Sequence, residues 1–509
     1  MTVTVTWDQA SARRLERQFL DRPAGRGTPV ADVVGAMLGA HAQVLSAAEV
    51  SVGVRVAGVT RADVRAALWE DHSLVKTFGP RGTVHLLPAA ELPLWCGALS
   101  AIPTGPSPFP PDVRVTEEQA QQIVAAIGDA LDGVCLTVEE LGTEVVARTG
   151  PWAGDLVMPA FQDLWPRWRQ VMHRAGQAGV LCFGPNRGRR VTYTRPRGVG
   201  AGGPSDFGAG LESGAGAGAV SGPGSGSRAG LGSEPALWHG SGLGPGSGPS
   251  SGSGPGQGSG VSRSGPTAGE ETEPGLSQSA PTVGEETKSG LARPGPTAGE
   301  ETRPGLSQSG PTAGEGTEAR VSRSGPTGGE GALRELVLRY LWAYGPATPQ
   351  HFAKWLAAPV GWAVGLFGEL AEGGEVEEVS FEGVAAWVAA GDTGFPGGRV
   401  RGVRLLPYFD AYAIAAQPRE SLFPGNAYRR ALAGGQAGNY PVLLVDGVVA
   451  GVWHQRRQGR RTTVTVELVG RRLTARQERE LGEQVERIGE VLEARAELLV
   501  GEVTVGPHA

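Results

Sequence analysis

The sequence predicts an α+β protein of tandem winged helices, each a helix-turn-helix closed by a β-hairpin wing. A C-terminal hairpin and helix follow, and a long disordered linker interrupts the chain. Three observations predict this. Short amphipathic helices recur in groups that end in two strands around a turn. Residues 198–330 are almost entirely Gly, Pro, Ser, Ala, Thr and Glu. The last hundred residues combine a hairpin turn with a strongly periodic helix.

In chain order, Thr28-Pro29 opens a helix carrying Val34, Met37 and Leu38 on one face, and a second helix starting at Thr60 buries Val64, Ala67 and Leu68. Leu74–Phe78, the Gly79-Pro80 turn and Thr83–Leu87 read as two strands around a turn. Capping boxes at Thr116 and Thr137 open the next two helices, the first with Ile123, Ile127 and Leu131 inward. A third helix, around Leu164 to Arg174 and disturbed by Pro166, leads to Val180–Phe183, a turn over 184–188 and Val191–Tyr193. The pattern returns after the linker with Leu333–Tyr344, Thr348-Pro349 to Leu356, Trp362–Leu370 and strands near Val376–Val379 and Ala385–Val388. Asp446-Gly447 marks a hairpin turn, and Thr474 caps a helix with Leu481, Val485, Ile488 and Leu492 inward. The expected organisation is a first winged-helix region at 1–110 and a second winged helix with a basic wing at 111–197. The linker spans 198–330, a third winged helix 331–400, and the hairpin and helix region 401–509.

Composition supports the linker. The 509 residues include 82 Gly and 38 Pro, while aromatics make up only 6%, an excess that cannot all be packed core. Within 198–330 a Pro-Thr pair recurs at 266, 281, 296, 311 and 326 with too few apolar residues to stack as a solenoid. The segment reads as a spacer, with a recruitment tail as the alternative. It holds 13 acidic and 7 basic residues and so accounts for the whole net charge of −6. The folded parts are neutral, and any case for nucleic acid rests on local clusters. Only Lys76, Lys288 and Lys354 are lysines. Cys96, Cys135 and Cys182 stand far apart, which argues against a zinc site and a disulfide framework, and a reducing cytoplasm is expected. No leader or membrane-spanning pattern is seen.

Two local clusters exist. Residues 161–197 carry eight arginines against Asp163, and 453–476 carry seven against Glu467. Among these, Arg167, Arg169, Arg187, Arg189, Arg190, Arg456, Arg457, Arg460 and Arg461 are candidate DNA contacts; the alternative is a solvated face. The familiar motifs of serine hydrolases, phosphate-binding loops and metalloproteases are absent, as is a paired-carboxylate metal clamp, so no metal and no cofactor are expected. His41 and Gln43 interrupt the apolar run Leu38–Val44. In an extended chain they point to one side and can hold one water; equally, they can satisfy backbone groups at a helix end.

Five segments carry a family resemblance: Val34 through Gln43, Arg81–Leu86, Cys182–Arg189, Leu405–Tyr412 and Leu444–Trp453. In this order they resemble motifs of the AlkZ/YcaQ-like DNA glycosylases, which are tandem winged-helix proteins. The linker is an insertion the family does not usually carry. The resemblance implies hydrolysis of the N-glycosidic bond of N7-alkylated purines, or of bulky adducts and crosslinks, in double-stranded DNA. The family's Gln-x-Gln or Gln-x-Asp motif maps onto His41-Ala42-Gln43, with histidine at the first position.

An N7-alkylpurine is already cationic, so its departure needs little acid catalysis; what remains is a positioned water and stabilisation of the cationic sugar. Gln43 can orient the water, and His41, with an ordinary pKa of ~6.5, can accept its proton. Arg81 and His85, in the neighbouring hairpin, are candidates for DNA contact or loop support. Lys76 alone is weak support for a lyase, so a monofunctional enzyme is expected. Asp410 reads as a cap, a turn residue or a group orienting something near DNA. The expected protein is monomeric, cytoplasmic and nucleoid-associated, without a membrane partner. The alternative is a non-catalytic winged-helix regulator, for which a clear dimer seam is missing.

Overall fold

The computed structural model describes residues 2–103, 105, 107, 109–159, 163–197, 328–432 and 436–506. The expected linker lies, as far as residue 327, outside the described residues.

Three winged helices follow one another. The first consists of helix Val30–Ala36, strand Ala40–His41, helices Leu45–Gly53 and Arg61–Trp69, and strands Leu74–Phe78 and Val84–Pro88. Val84–Pro88 lies between the other two strands. Thr60 and Asp63 cap the Arg61 helix reciprocally, as such a pair must where backbone N–H groups lack partners. The opening helix is shorter than expected, since Pro29 caps it and it stops at Ala36, before Leu38.

The second contains helices Glu117–Ala130 and Val138–Thr149, capped by Thr116 and Thr137 as the sequence predicts. Its wing is the pair Cys182–Arg187 and Arg190–Thr194. The helix expected around Leu164 to Arg174 is not formed. Leu164–Pro166 is instead a strand paired with Leu156–Pro159, followed by a 3-10 turn over Arg167–Val171 and a helix only over Met172–Gln177. Proline has no N–H to give a helix and ends the strand at 166, while Trp165 and Trp168 go into the core.

The third runs Gly329–Tyr344, Pro349–Leu356, Val360–Glu372, Val376–Phe381 and Val384–Ala389, with an Ala347–Trp387 bridge in place of the first strand. Its sheet receives a strand that the sequence reading missed: Thr4–Val5 pairs in parallel with Ser380 and Phe381. The C-terminal part is a five-stranded sheet in the order Val403–Leu406, Val442–Val445, Val448–Gln458, Arg461–Leu468, Arg495–Val500, packed against helix Ala475–Val491. The Asp446-Gly447 turn has φ of 53° and 83°, as a two-residue hairpin turn requires.

The cores join these modules. The first two winged helices share one, with Val34 and Leu86 beside Ile127 and Trp168. A second couples helix Leu92–Ser100 to the third winged helix, and a third packs Leu15 and Val50 on the C-terminal sheet. Helix Trp7–Arg17, which carries Leu15, takes part in this packing. Arg14 is buried, and it donates to the carbonyl oxygens of Gly345, Pro346 and Gln417 at 3.3, 2.9 and 2.7 Å. Burial without such acceptors would be costly for a guanidinium. Even so, burial lowers its pKa to about 10, and it keeps its charge at neutral pH.

Candidate active site

The chain reaches His41 through a forced turn. After Ala36 the backbone N–H groups of Leu38 and Gly39 bond back to the carbonyls of Gly35 and Val34. Leu38 and Gly39 then take φ of 56° and 90°. The φ of Gly39 favours glycine, and a Cβ there would lie 2.8 Å from a Leu87 methyl, which would have to move. The chain emerges extended, with Ala40 opposite Leu86 and His41 opposite His85. Ala42 continues the pairing by donating to the Val84 carbonyl at 2.8 Å.

His41 is 6% exposed. The edge-to-face His85 ring lies 5.1 Å away between centroids, and Phe409 stacks on His41 at 4.5 Å with planes 29° apart. Gln43 is half-buried, two residues on, at the mouth of helix Leu45–Gly53. Leu38, Gly39, His41, Arg81, His85 and Trp355 border a small cavity of about the size that one water requires.

His85 is buried, and Arg81 is half-buried. In the 3-10 turn Pro80–Gly82, Arg81 has φ of 60° and donates to the Trp355 carbonyl at 2.7 Å. Burial lowers its pKa to about 10. His85 Nδ1 lies 2.9 Å from the Thr83 carbonyl. Because a carbonyl only accepts, Nδ1 carries the proton and Nε2 the lone pair. Burial first, and the Arg81 charge second, push the His85 pKa down to about 3, so the ring is neutral.

Beyond this layer lies a cluster that the sequence did not reveal. Asp410 is fully buried, and its two carboxylate oxygens accept from the Arg55 guanidinium at 2.8 Å each. Ser51 adds a bond at 2.6 Å. Asp410 also caps helix Ala411–Ala415 through the N–H of Tyr412. Tyr344 donates to the Met37 carbonyl at 2.7 Å, bracing the turn that leads to His41. Lys76 lies with Nζ 4.9 Å from the centroid of the Phe183 ring.

The candidate DNA contacts divide by environment. Arg167 turns inward, donating to the Val113 carbonyl at 2.8 Å and facing Asp155 at 3.4 Å. Arg169 covers the Trp165 ring at 3.9 Å. Arg187 is exposed but tied to Glu140 at 2.8 Å and to the Cys135 carbonyl at 2.6 Å. Arg189 and Arg190 are exposed at the wing turn. Arg456, Arg457, Arg460 and Arg461 are exposed at the end of the long C-terminal hairpin, and Arg495 pairs alongside Arg461. Among the described residues no cluster of His, Cys, Asp or Glu could hold a metal, and no helix is long and apolar enough to cross a membrane.

A family profile described as DNA glycosylase AlkZ-like matches residues 34–220 and 296–491, most of the chain and all of the segment from His41 to Gln43. The chain belongs to the AlkZ-like DNA glycosylase family. An interstrand DNA cross-link repair glycosylase of Streptomyces sahachiroi is 37% identical over 196 residues, 38% of this chain. That match spans 49% of the relative's length, about half. The solved structure of Streptomyces sahachiroi DNA glycosylase AlkZ superimposes with a TM-score of 0.61 at 22% identity, over 98% of this chain and 100% of its own. The fold of the AlkZ-like chain is thus the tandem winged-helix arrangement expected above.

Proposed function

We propose that the protein is a monofunctional, metal-independent DNA glycosylase that hydrolyses the N-glycosidic bond of N7-alkylated purines, or of bulky alkyl adducts and crosslinks, in double-stranded DNA. The observation that carries this reading is the His41-x-Gln43 segment, which begins in the strand Ala40–His41. It lies inside the family match, its imidazole is held in place on two sides, and an amide stands two residues away.

In this reading a water lies between Gln43 and His41. The bond from C1′ to N9 breaks, and its electron pair passes to the departing base, whose positive charge it cancels. The water oxygen bonds to C1′, and its proton goes to His41. Gln43 orients the water through its amide oxygen but takes no proton. Burial holds His85 neutral, so it places no charge beside the His41 ring. The exposed arginines of the wing and the long hairpin, Arg189, Arg190, Arg456, Arg457, Arg460 and Arg461, supply phosphate contacts, and a monomer at the nucleoid suffices. Arg167 and Arg187 reach DNA only by exchanging internal partners.

The test is release of 7-methylguanine, and in parallel of a bulky N7 adduct, from a defined duplex in EDTA, with His41→Ala and Gln43→Ala beside the wild type. Release by the wild type that both substitutions abolish is expected. Full release by His41→Gln would show that histidine is not the base, and no release from either substrate would overturn the glycosylase reading.

A further inference from the structure

We infer that Phe409 is a positioning residue for this reaction, fixing the His41 imidazole from a loop that the buried Asp410–Arg55–Ser51 cluster locks in place; the inference rests on the role given to His41 above.

The geometry is specific. Phe409 has φ of 54°, a backbone region that an aromatic residue rarely occupies and keeps only where its surroundings hold it. Two sets of contacts do so. On one side the next residue, Asp410, is anchored by both nitrogens of the Arg55 fork and by Ser51. Ser51 lies on the helix that begins two residues after Gln43, and Arg55 follows its end. On the other side the Phe409 N–H donates to the Gly438 carbonyl at 3.0 Å. A Cβ on Gly438 would stand 3.1 Å from the Phe409 ring, and Gly438 itself has φ of 97°. Glycine at 438 therefore leaves room for the Phe409 ring where a side chain would be strained by the backbone and would crowd it. The anchor of the loop lies on and just after the helix that follows His41 and Gln43, which ties the Phe409 loop to that segment of chain. Stacking on one face, with His85 edge-on, fixes the plane of the imidazole and the direction of its lone pair. A base must sit within hydrogen-bond reach of its proton, and small misplacement costs rate rather than binding.

The experiment uses the full chain with selectively labelled histidine, of which there are 8. In the wild type the ring protons of His41 are shielded by Phe409, and in Phe409→Leu they move to lower field. With enzyme in excess over a 7-methylguanine duplex, Phe409→Leu lowers the single-turnover rate about 10–100-fold while the DNA Kd stays within about twofold, and Phe409→Tyr restores most of the rate. Asp410→Asn keeps the side-chain shape, weakens the anchor and gives the same split, which covers a Leu variant that does not fold. A Phe409→Leu rate within about twofold of wild type, or unshifted His41 signals, overturns the inference. Retained release in His41→Ala instead overturns the assignment of His41, and the role of Phe409 falls with it; the two failures are read from different variants.

Discussion

The Tyr344 hydroxyl reaches the Met37 carbonyl at 2.7 Å across 307 positions of sequence. The turn into the candidate catalytic strand is therefore braced by a residue from beyond the linker, as are the His41 ring, through Phe409, and Arg81, through the Trp355 carbonyl.

With a protease site inserted near residue 260 and cut, the two pieces are expected to stay together and to behave as the uncut chain does in the 7-methylguanine release assay proposed above. Arg14 on three distant carbonyls, Arg17 on Asp392 and the Arg55–Asp410 pair all cross the cut. Size-exclusion chromatography of the cut protein checks this; two separate peaks would contradict it.

Asp410→Ala leaves the Arg55 guanidinium buried without its partner. A loss of about 3–5 kcal/mol is expected, far above the roughly 1 kcal/mol typical of a surface pair. Urea unfolding of wild type and variant at neutral pH measures it.

His85 sets a pH dependence. The unfolded chain takes up a proton near pH 6.5, whereas the folded protein resists until about pH 3, because burial and Arg81 oppose the charge. Stability is full above about 6.5 and falls as pH is lowered through this window, by up to ~1.4 kcal/mol per pH unit. His351, lowered to about 4 by burial, acts in the same direction. The difference between wild type and His85→Gln isolates the His85 share, and parallel curves would show that it is absent.

Arginines of equal sequence interest should behave differently. Replacing Arg456, Arg457, Arg460 and Arg461 by alanine is expected to weaken binding to duplex DNA and to reduce the salt slope by about 0.9 per lost phosphate contact, with little change in stability. Arg167→Ala is expected to cost about 1–3 kcal/mol of stability through the loss of its Val113 and Asp155 partners, with a smaller effect on the salt slope. Fluorescence anisotropy across a salt series, with thermal melts, separates the two.

What was legible in the sequence is what local chemistry determines. The caps at Thr116, Thr137 and Thr474, the helix starts at Thr60 and Thr348, the Leu74–Phe78 strand and the Asp446-Gly447 turn depend on neighbours within a few residues, and formed as read. The 164–174 stretch misled because its spacing fits a helix, while Pro166 and two buried tryptophans favour a strand and a tight turn. Helix Trp7–Arg17 escaped notice because arginines read as surface, and the acceptors that let Arg14 be buried lie more than three hundred residues away. In the site, His41 and Gln43 stood out as polar residues in an apolar run. Phe409, Gly438 and the pairing of Asp410 with Arg55 gave no such sign, since only folding brings them together.

The parallel pairing of Thr4–Val5 with Ser380 and Phe381 bears on how the chain acquires its shape. During synthesis the first strand emerges without its neighbour and waits for a segment made some 375 residues later, on the order of tens of seconds at ribosomal speeds. The same delay applies to the carbonyls that receive Arg14 and the carboxylate that receives Arg55. Closure around the His41 strand is therefore a late event of high contact order, and the nascent amino-terminal half carries its arginines and apolar faces uncovered until these later segments arrive.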